Sequence, residues 1–239
     1  MTSSRLPGKV MLPLNGKPMI FRQIERIKHA STIDEVIVAT STDSTDDILA
    51  EFLGGQGIRV FRGSLNDVLS RFLEIQETLK PTAVIRLTGD CPLVMPELID
   101  KMVQCFSDSN WDYLSNTLEP TYPDGLDVEI ISPCALERLA ELELSEPERE
   151  HVTLGIYTRP TLFTVQNFRG ESDLSQKRWT VDYLEDLNFV REVYGAFMGD
   201  ESTFTLRDVL LHLSKNPDLT SEISADHRNE KLESDSHEK

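Results

Sequence analysis

This sequence is poor in cysteine, modest in aromatics and short of positive charge. Its three cysteines, Cys91, Cys105 and Cys134, show no CxxC spacing and make an odd count. That argues against a disulfide framework or a zinc site, and a reducing cytoplasm is the expected compartment. His29, His151, His212, His227 and His237 are too scattered to form a metal cluster. No run approaches the roughly 18 apolar residues of a membrane span. The opening MTSSRLPGKV lacks the apolar stretch of a signal peptide. Lys and Arg number 24 against 41 Asp and Glu, a formal charge of −17. Nucleic-acid polymers and anionic membranes are therefore not expected as partners, because both need a basic face. A small anionic ligand remains compatible, since a local basic pocket can sit in an acidic protein.

What is present is ordinary globular composition: 239 residues, 39 % hydrophobic and 27 % charged. The length suits one large domain with a real core. Charge is spread unevenly. In the first thirty residues Arg5, Lys9, Lys17, Arg22, Arg26 and Lys28 face only Glu25. Lys17 to Lys28 fall on a helical pattern and are expected to be ordinary helix-face charge. Arg5 and Lys9 fall in a loop.

Apolar periodicity places the elements. Residues 1–16 read as loop, and Pro18 opens a helix with Ile20, Ile24 and Ile27 on one face. Short apolar runs at 35–40, 58–61 and 83–87 read as buried strands. Helices are expected from Asp43, from an Asn66 cap, and from Pro96. The second half predicts strands at 112–115, 126–131, 162–167 and 178–181. It predicts helices at 134–144, 147–157, 183–197 and 206–213. From Ser224 the chain is polar and charged and is expected to be disordered. Alternating strands and amphipathic helices imply βαβ units around a mainly parallel sheet. Ligands bind at the carboxyl ends of such strands, which singles out the loop after Leu87 and its Asp90.

Five segments carry residues capable of chemistry. Ser3-Ser4-Arg5-Leu6-Pro7-Gly8-Lys9 offers small residues and two cations on a turn, suited to a polyphosphate or to no ligand at all. It is not a Walker A sequence. Thr88-Gly89-Asp90-Cys91-Pro92 offers a carboxylate that can hold Mg²⁺ or simply close a turn. Arg178-Trp179-Thr180-Val181-Asp182 ends in an Asp expected to cap the next helix, with Glu185 completing a capping box; metal ligation would compete. Tyr122 to Glu129 offers Asp124, Asp127 and Glu129, the last two on one face of an alternating strand, toward solvent or a pocket. Glu148-Arg149-Glu150-His151 could meet a substrate anion or form a salt-bridged helix start. Cys91 reads as packing.

Together and in order, SSRLPGK, GSLNDVLSRF, RLTGDCPLV, YPDGLDVE, EREHVT and RWTVDYLEDL resemble the SpsF-type cytidylyltransferases. Those are named for spore-coat polysaccharide synthesis and belong with the CMP-KDO and CMP-sialate synthetases. The resemblance implies a nucleotide-diphospho-sugar transferase fold of GT-A or Rossmann-like α/β type, with helices on both sheet faces. It implies one domain over residues 1–223, with a nucleotide half (1–110) and an acceptor half (111–223). The implied reaction transfers CMP from CTP to an acidic sugar, with Mg²⁺ as cofactor and pyrophosphate released. By position, Arg5 and Lys9 would neutralise the phosphates, and Ser3, Ser4, Leu6 and Gly8 would line the CTP loop. Asp90 and Asp182 would hold the metal. Asp124, Asp127, Arg149 and His151 would border the acceptor. A homodimer is the expected assembly. The family begins with a buried strand before SSRLPGK, whereas this chain starts at Met1-Thr2-Ser3, so the first strand is expected to be missing, through a misplaced start codon (the favoured explanation) or because the chain is truly short. Two alternatives stand beside this reading: a GT-A glycosyltransferase, and an inactive nucleotide-binding relic.

Overall fold

The computed structural model describes residues 5–219, so Ser3, Ser4 and the polar tail lie outside the described residues. Gly8, left-handed at φ 68°, leads into a single 3-10 turn, Lys9–Met11. A two-residue hairpin follows, β1 (Pro13–Leu14) and β2 (Lys17–Pro18), where the sequence reads as loop. Asn15 and Gly16 turn it with positive φ at both positions, the geometry that suits a tight hairpin. Its strands are too short to show alternation.

Helix α1 (Met19–Ile27) buries Met19, Ile20, Ile24 and Ile27 as its spacing predicts. It also buries Arg22 and Arg26, which corrects the reading of this helix as carrying only solvated charge. Arg26 donates to the carbonyls of Val94, Glu201 and Phe204 and stacks over the Phe204 ring. Burial pulls its pKa down to about 10. A buried cation is tolerated there because backbone acceptors replace water.

Strand β3 (Ile37–Ser41), helix α2 (Asp47–Gly55) and strand β4 (Arg59–Gly63) form a βαβ unit whose strands pair in parallel. Ile20, Ile24, Leu49, Leu53 and Ile58 make the core beneath it. Asp67, not Asn66, caps helix α3 (Val68–Leu79) by accepting from Ser70 N–H. Strand β5 (Val84–Arg86) and helix α4 (Pro96–Ser107, with Pro96 in its first turn) complete the first half.

The second half supplies β6 (Tyr113–Ser115), β7 (Glu129–Ile131), α5 (Pro133–Ala140), α6 (Glu146–Glu150), α7 (Leu154–Tyr157), β8 (Val165–Asn167), α8 (Leu184–Ala196) and α9 (Leu206–Lys215). The four-stranded sheet has the order β5-β7-β6-β8. Strand β7 runs antiparallel to both neighbours, and β6 pairs with β8 in parallel. The α/β class and mixed sheet stand, with less parallel pairing in this half than alternation alone implies. Side chains divide by face. Leu114 and Ile130 enter the core with α4, α8 and α9. Tyr113 and Ile131 enter the core with Leu69 of α3 and residues of α5 and α7. Helices therefore cover both faces of the sheet.

Three expected elements differ. Residues 178–181 are not a strand; a single bridge joins Arg178 to Asp124. The strand at 126–131 forms only from Glu129, which leaves Asp127 outside the ladder. The helix at 147–157 breaks into α6 and α7 around Val152, which has φ 55° and is fully buried. Burial of the Val152 side chain offsets the cost of a left-handed β-branched residue, which periodicity cannot reveal.

Candidate active site

Lys9 is thrown inward by the left-handed Gly8 turn, and its ammonium is fully committed. Nζ donates to Asp90 Oδ2 at 2.7 Å, to Val181 O at 2.8 Å and to Asp182 Oδ1 at 3.0 Å. An ammonium has three donors, so all are used. Asp90 stands on the turn after β5, as the sequence predicts. Val181 N–H donates to the Asp90 carbonyl at 2.9 Å, which ties the two carboxylate-bearing segments together. Arg5 reaches Asp182 at 3.2 Å and lies over the Tyr183 ring. The four charged residues assigned to the phosphates and the metal therefore meet at one place, although Lys9 and Asp182 lie 173 positions apart in sequence.

The electrostatics follow from the geometry. Burial pulls the Lys9 pKa down, but Asp90 and then Asp182 outweigh it, and the ammonium is held above its ordinary value. Burial pushes Asp90 up, and the Lys9 charge and hydrogen bond more than offset it, so its carboxyl lies below the usual range. Asp182 is lowered in the same way, with burial opposing, Lys9 the largest favourable partner and Arg5 adding to it. Cys91, beside Asp90, is buried, and burial together with the Asp90 charge raises its thiol well above the ordinary value. It is packing, not a nucleophile.

Asp182 does not cap α8. Tyr183 is the cap residue, and Asp186 accepts from the Asp182 and Tyr183 N–H groups. Asp186 in place of Glu185 leaves both Asp182 oxygens free for cations. Oδ2 of Asp182 accepts from Arg178 at 2.8 Å, and Arg178 also reaches Asp186 at 3.0 Å and Asp124 at 3.4 Å. This nearly buried guanidinium is the hub of the site, and the sequence reading gave it no role. Its signal lay in the spacing: Arg178 sits four residues before Asp182 and eight before Asp186.

Asp124 joins the centre through Arg178 and through its own backbone, since Trp179 N–H donates to Asp124 O at 2.6 Å. Gly125, at φ 102°, permits this approach: a Cβ there would stand 2.4 Å from Thr180 N. Asp127 is half-buried and near enough to Cys91 to help raise its thiol. Arg149 instead pairs with Asp67 at the start of α3, at 3.0 Å. His151 ends α6, and its carbonyl accepts from Thr153 N–H at 2.5 Å across the turn at Val152. Thr153 in turn donates to Glu129 Oε1 at 2.6 Å. Arg149 and His151 thus form a second group, on the α6–α7 turn, distinct from the Lys9 centre.

Asp90 and Asp182 supply two hard oxygen donors that converge on one point, now met by the Lys9 ammonium. No group of three or more His, Cys, Asp and Glu able to hold a metal exists among the described residues. The pair fits a hard cation that takes its remaining ligands from phosphate and water, not a closed protein site. No helix among the described residues is long and apolar enough to cross a membrane.

The centre of this α/β fold thus joins one lysine to two aspartates, Asp90 on the turn after β5 and Asp182 just before α8. Residues 1–207 match the family described as Cytidylyltransferase, and the chain belongs to it. Among its relatives, the spore coat polysaccharide biosynthesis protein SpsF of Bacillus subtilis is 36 % identical over 233 residues, covering 95 % of each chain. A cytidylyltransferase structure from Leptospira borgpetersenii superposes with a TM-score of 0.88 at 31 % identity, covering 95 % of both chains. The 3-deoxy-manno-octulosonate cytidylyltransferase of Pelobacter propionicus is 34 % identical over 102 residues, 43 % of this chain and 39 % of its own length. Membership makes the chain an enzyme of the nucleotidyltransferase class and sets aside the glycosyltransferase alternative.

Proposed function

We propose that this enzyme transfers CMP from CTP to a hydroxyl of an acidic sugar and releases pyrophosphate. The observation that carries the reading is the Lys9 ammonium bridging Asp90 and Asp182 beside Arg5. Attack on the α-phosphorus builds charge on the departing pyrophosphate, and cations aimed at that charge lower the barrier. Arg5 and Lys9 do this, and Leu6 and Gly8 shape the loop that carries them. Mg²⁺, held by Asp90 and Asp182, would neutralise phosphate oxygens. Arg178 keeps Asp182 aimed. No covalent nucleophile is needed, in keeping with the buried Cys91 thiol. Asp124, Asp127, Arg149 and His151 border the acceptor, in the half formed by residues 111–223. The octulosonate cytidylyltransferase among the relatives supports an acidic sugar, and SpsF supports a product destined for surface polysaccharide.

The test is pyrophosphate release by the purified protein with Mg²⁺, each of the four nucleoside triphosphates, and a panel of acidic sugars. Release confined to CTP plus an acidic sugar is expected, and it should vanish when EDTA is added. Equal release with another triphosphate, CTP binding without pyrophosphate, or turnover unaffected by EDTA would overturn the corresponding part of the reading.

A further inference from the structure

Strand β5 ends on Arg86, which lies opposite Glu129 of β7, and Glu129 lies opposite Ser115 of β6. This is the last row of the ladder before β5 runs on to Asp90. Glu129 is almost fully occupied. Its Oε1 accepts from Tyr113 Oη at 2.5 Å and from Thr153 Oγ1 at 2.6 Å, and its Oε2 accepts from Arg86 Nη1. Four elements, β5, β6, β7 and the α6–α7 turn, thus lock one carboxylate. The strained Val152 turn is what brings Thr153 to it. Backbone strain held by surrounding structure is characteristic of functional positions.

Arg86 is not equally occupied. Nη1 is spent on Glu129, and no other hydrogen bond from this guanidinium to protein is found among the described residues. Its side chain is 18 % exposed. The remaining Nε–Nη2 edge has two parallel N–H bonds, the fork that matches a carboxylate. These leftover donors are not among the buried unpartnered atoms of the described residues, so they keep access to solvent and an incoming acceptor can reach them. Burial opposes its charge and Glu129 more than restores it, while Asp90 is near enough to add to the effect. Arg86 thus sits four residues before Asp90 at the end of β5 and shares the Glu129 carboxylate with Thr153 of the α6–α7 turn.

We propose that the Nε–Nη2 edge of Arg86 receives the carboxylate of the acidic acceptor, with Glu129 as the positioning residue that aims it. This rests on the acidic-sugar reading above and names the residue that would select for it. Tyr113 and Thr153 hold Glu129, so they act on acceptor selection at one remove.

The experiment compares steady-state turnover of 3-deoxy-manno-octulosonate and N-acetylneuraminate, whichever is used, with that of its methyl ester. Wild-type protein should favour the acid. Arg86→Gln should raise the acceptor KM by about 10–100-fold, the weight of a charge-assisted hydrogen bond. The KM for CTP should stay within about twofold, because the phosphate contacts are untouched. The preference for acid over ester should collapse. Arg86→Lys, which keeps the charge but not the fork, should retain part of the preference and covers the case in which the Gln variant fails to fold. Glu129→Gln should raise acceptor KM without abolishing the acid preference. Active wild-type protein whose folded Arg86 variants keep both acceptor KM and acid preference overturns the proposal alone. Wild-type protein that turns over neither acid nor ester from CTP overturns the parent reading, and this one with it.

Discussion

Removing the Lys9 ammonium should expose how the nucleotide centre is held together. Lys9→Met keeps most of the side-chain stem and deletes the charge. Asp182 would still have Arg178 at 2.8 Å and Arg5 at 3.2 Å. Asp90 has Lys9 as its ion-pair partner at 2.7 Å, so most of the loss falls on Asp90. A unit-charge pair 4 Å apart is worth about 4 kcal/mol at an effective dielectric of about 20, before desolvation is subtracted. Breaking a fully buried pair costs about 3–5 kcal/mol. Here the Lys9 and Asp90 side chains are 12 % and 28 % exposed, which screens part of that. We expect Lys9→Met to cost about 2–3 kcal/mol and Asp90→Ala about 1 kcal/mol, since Lys9 would keep Asp182 and the Val181 carbonyl. Their coupling in a double-mutant cycle should be about 1–2 kcal/mol, read by urea denaturation at pH 7 in low salt. Asp90 titrates lower when folded, so the coupling is full above its ordinary value of 3.8 and is lost as pH falls through the folded value. Lys9 titrates higher when folded, so the coupling is full below 10.5 and is lost as pH rises through its folded value. Additive single variants at pH 7, or a coupling that survives protonation of Asp90, would refute the argument.

Two further outcomes follow from the packing around this centre. Gly125→Ala should destabilise by about 2–4 kcal/mol and detach the Asp124 segment from Trp179, because a side chain at φ 102° meets the Thr180 backbone; thermal unfolding at the wild-type temperature would contradict this. Thiol labelling of native protein at pH 8 should modify the exposed Cys134 first, the half-buried Cys105 more slowly and Cys91 only on unfolding; prompt labelling of Cys91 would mean that its environment is open.

Sequence alone determined most of the first half. The alternation of short apolar runs with amphipathic helices located β3, α2, β4, α3, β5 and α4, because each has a local period and a local stop signal. The rule that ligands gather at strand carboxyl ends pointed to Asp90, and ordered motifs added Lys9, Arg5 and Asp182. Where an outcome depended on neighbours distant in sequence, local reasoning ran out. It could not see that Arg22 and Arg26 would be buried, since the acceptors that make Arg26 tolerable come from residues 94, 201 and 204. It gave the helix cap to Asp182 with Glu185, when packing makes Tyr183 the cap residue with Asp186 as its acceptor and releases Asp182 to meet Lys9 and Arg178. It read residues 147–157 as one helix, because nothing in the local pattern marks Val152 as left-handed; only the closed core around that side chain and the pull of Thr153 toward Glu129 do so. Residue types, then, set which charges were available to the site. Tertiary structure decided which of them share a hydrogen bond, because burial and partnering are properties of the space between segments and not of any one segment.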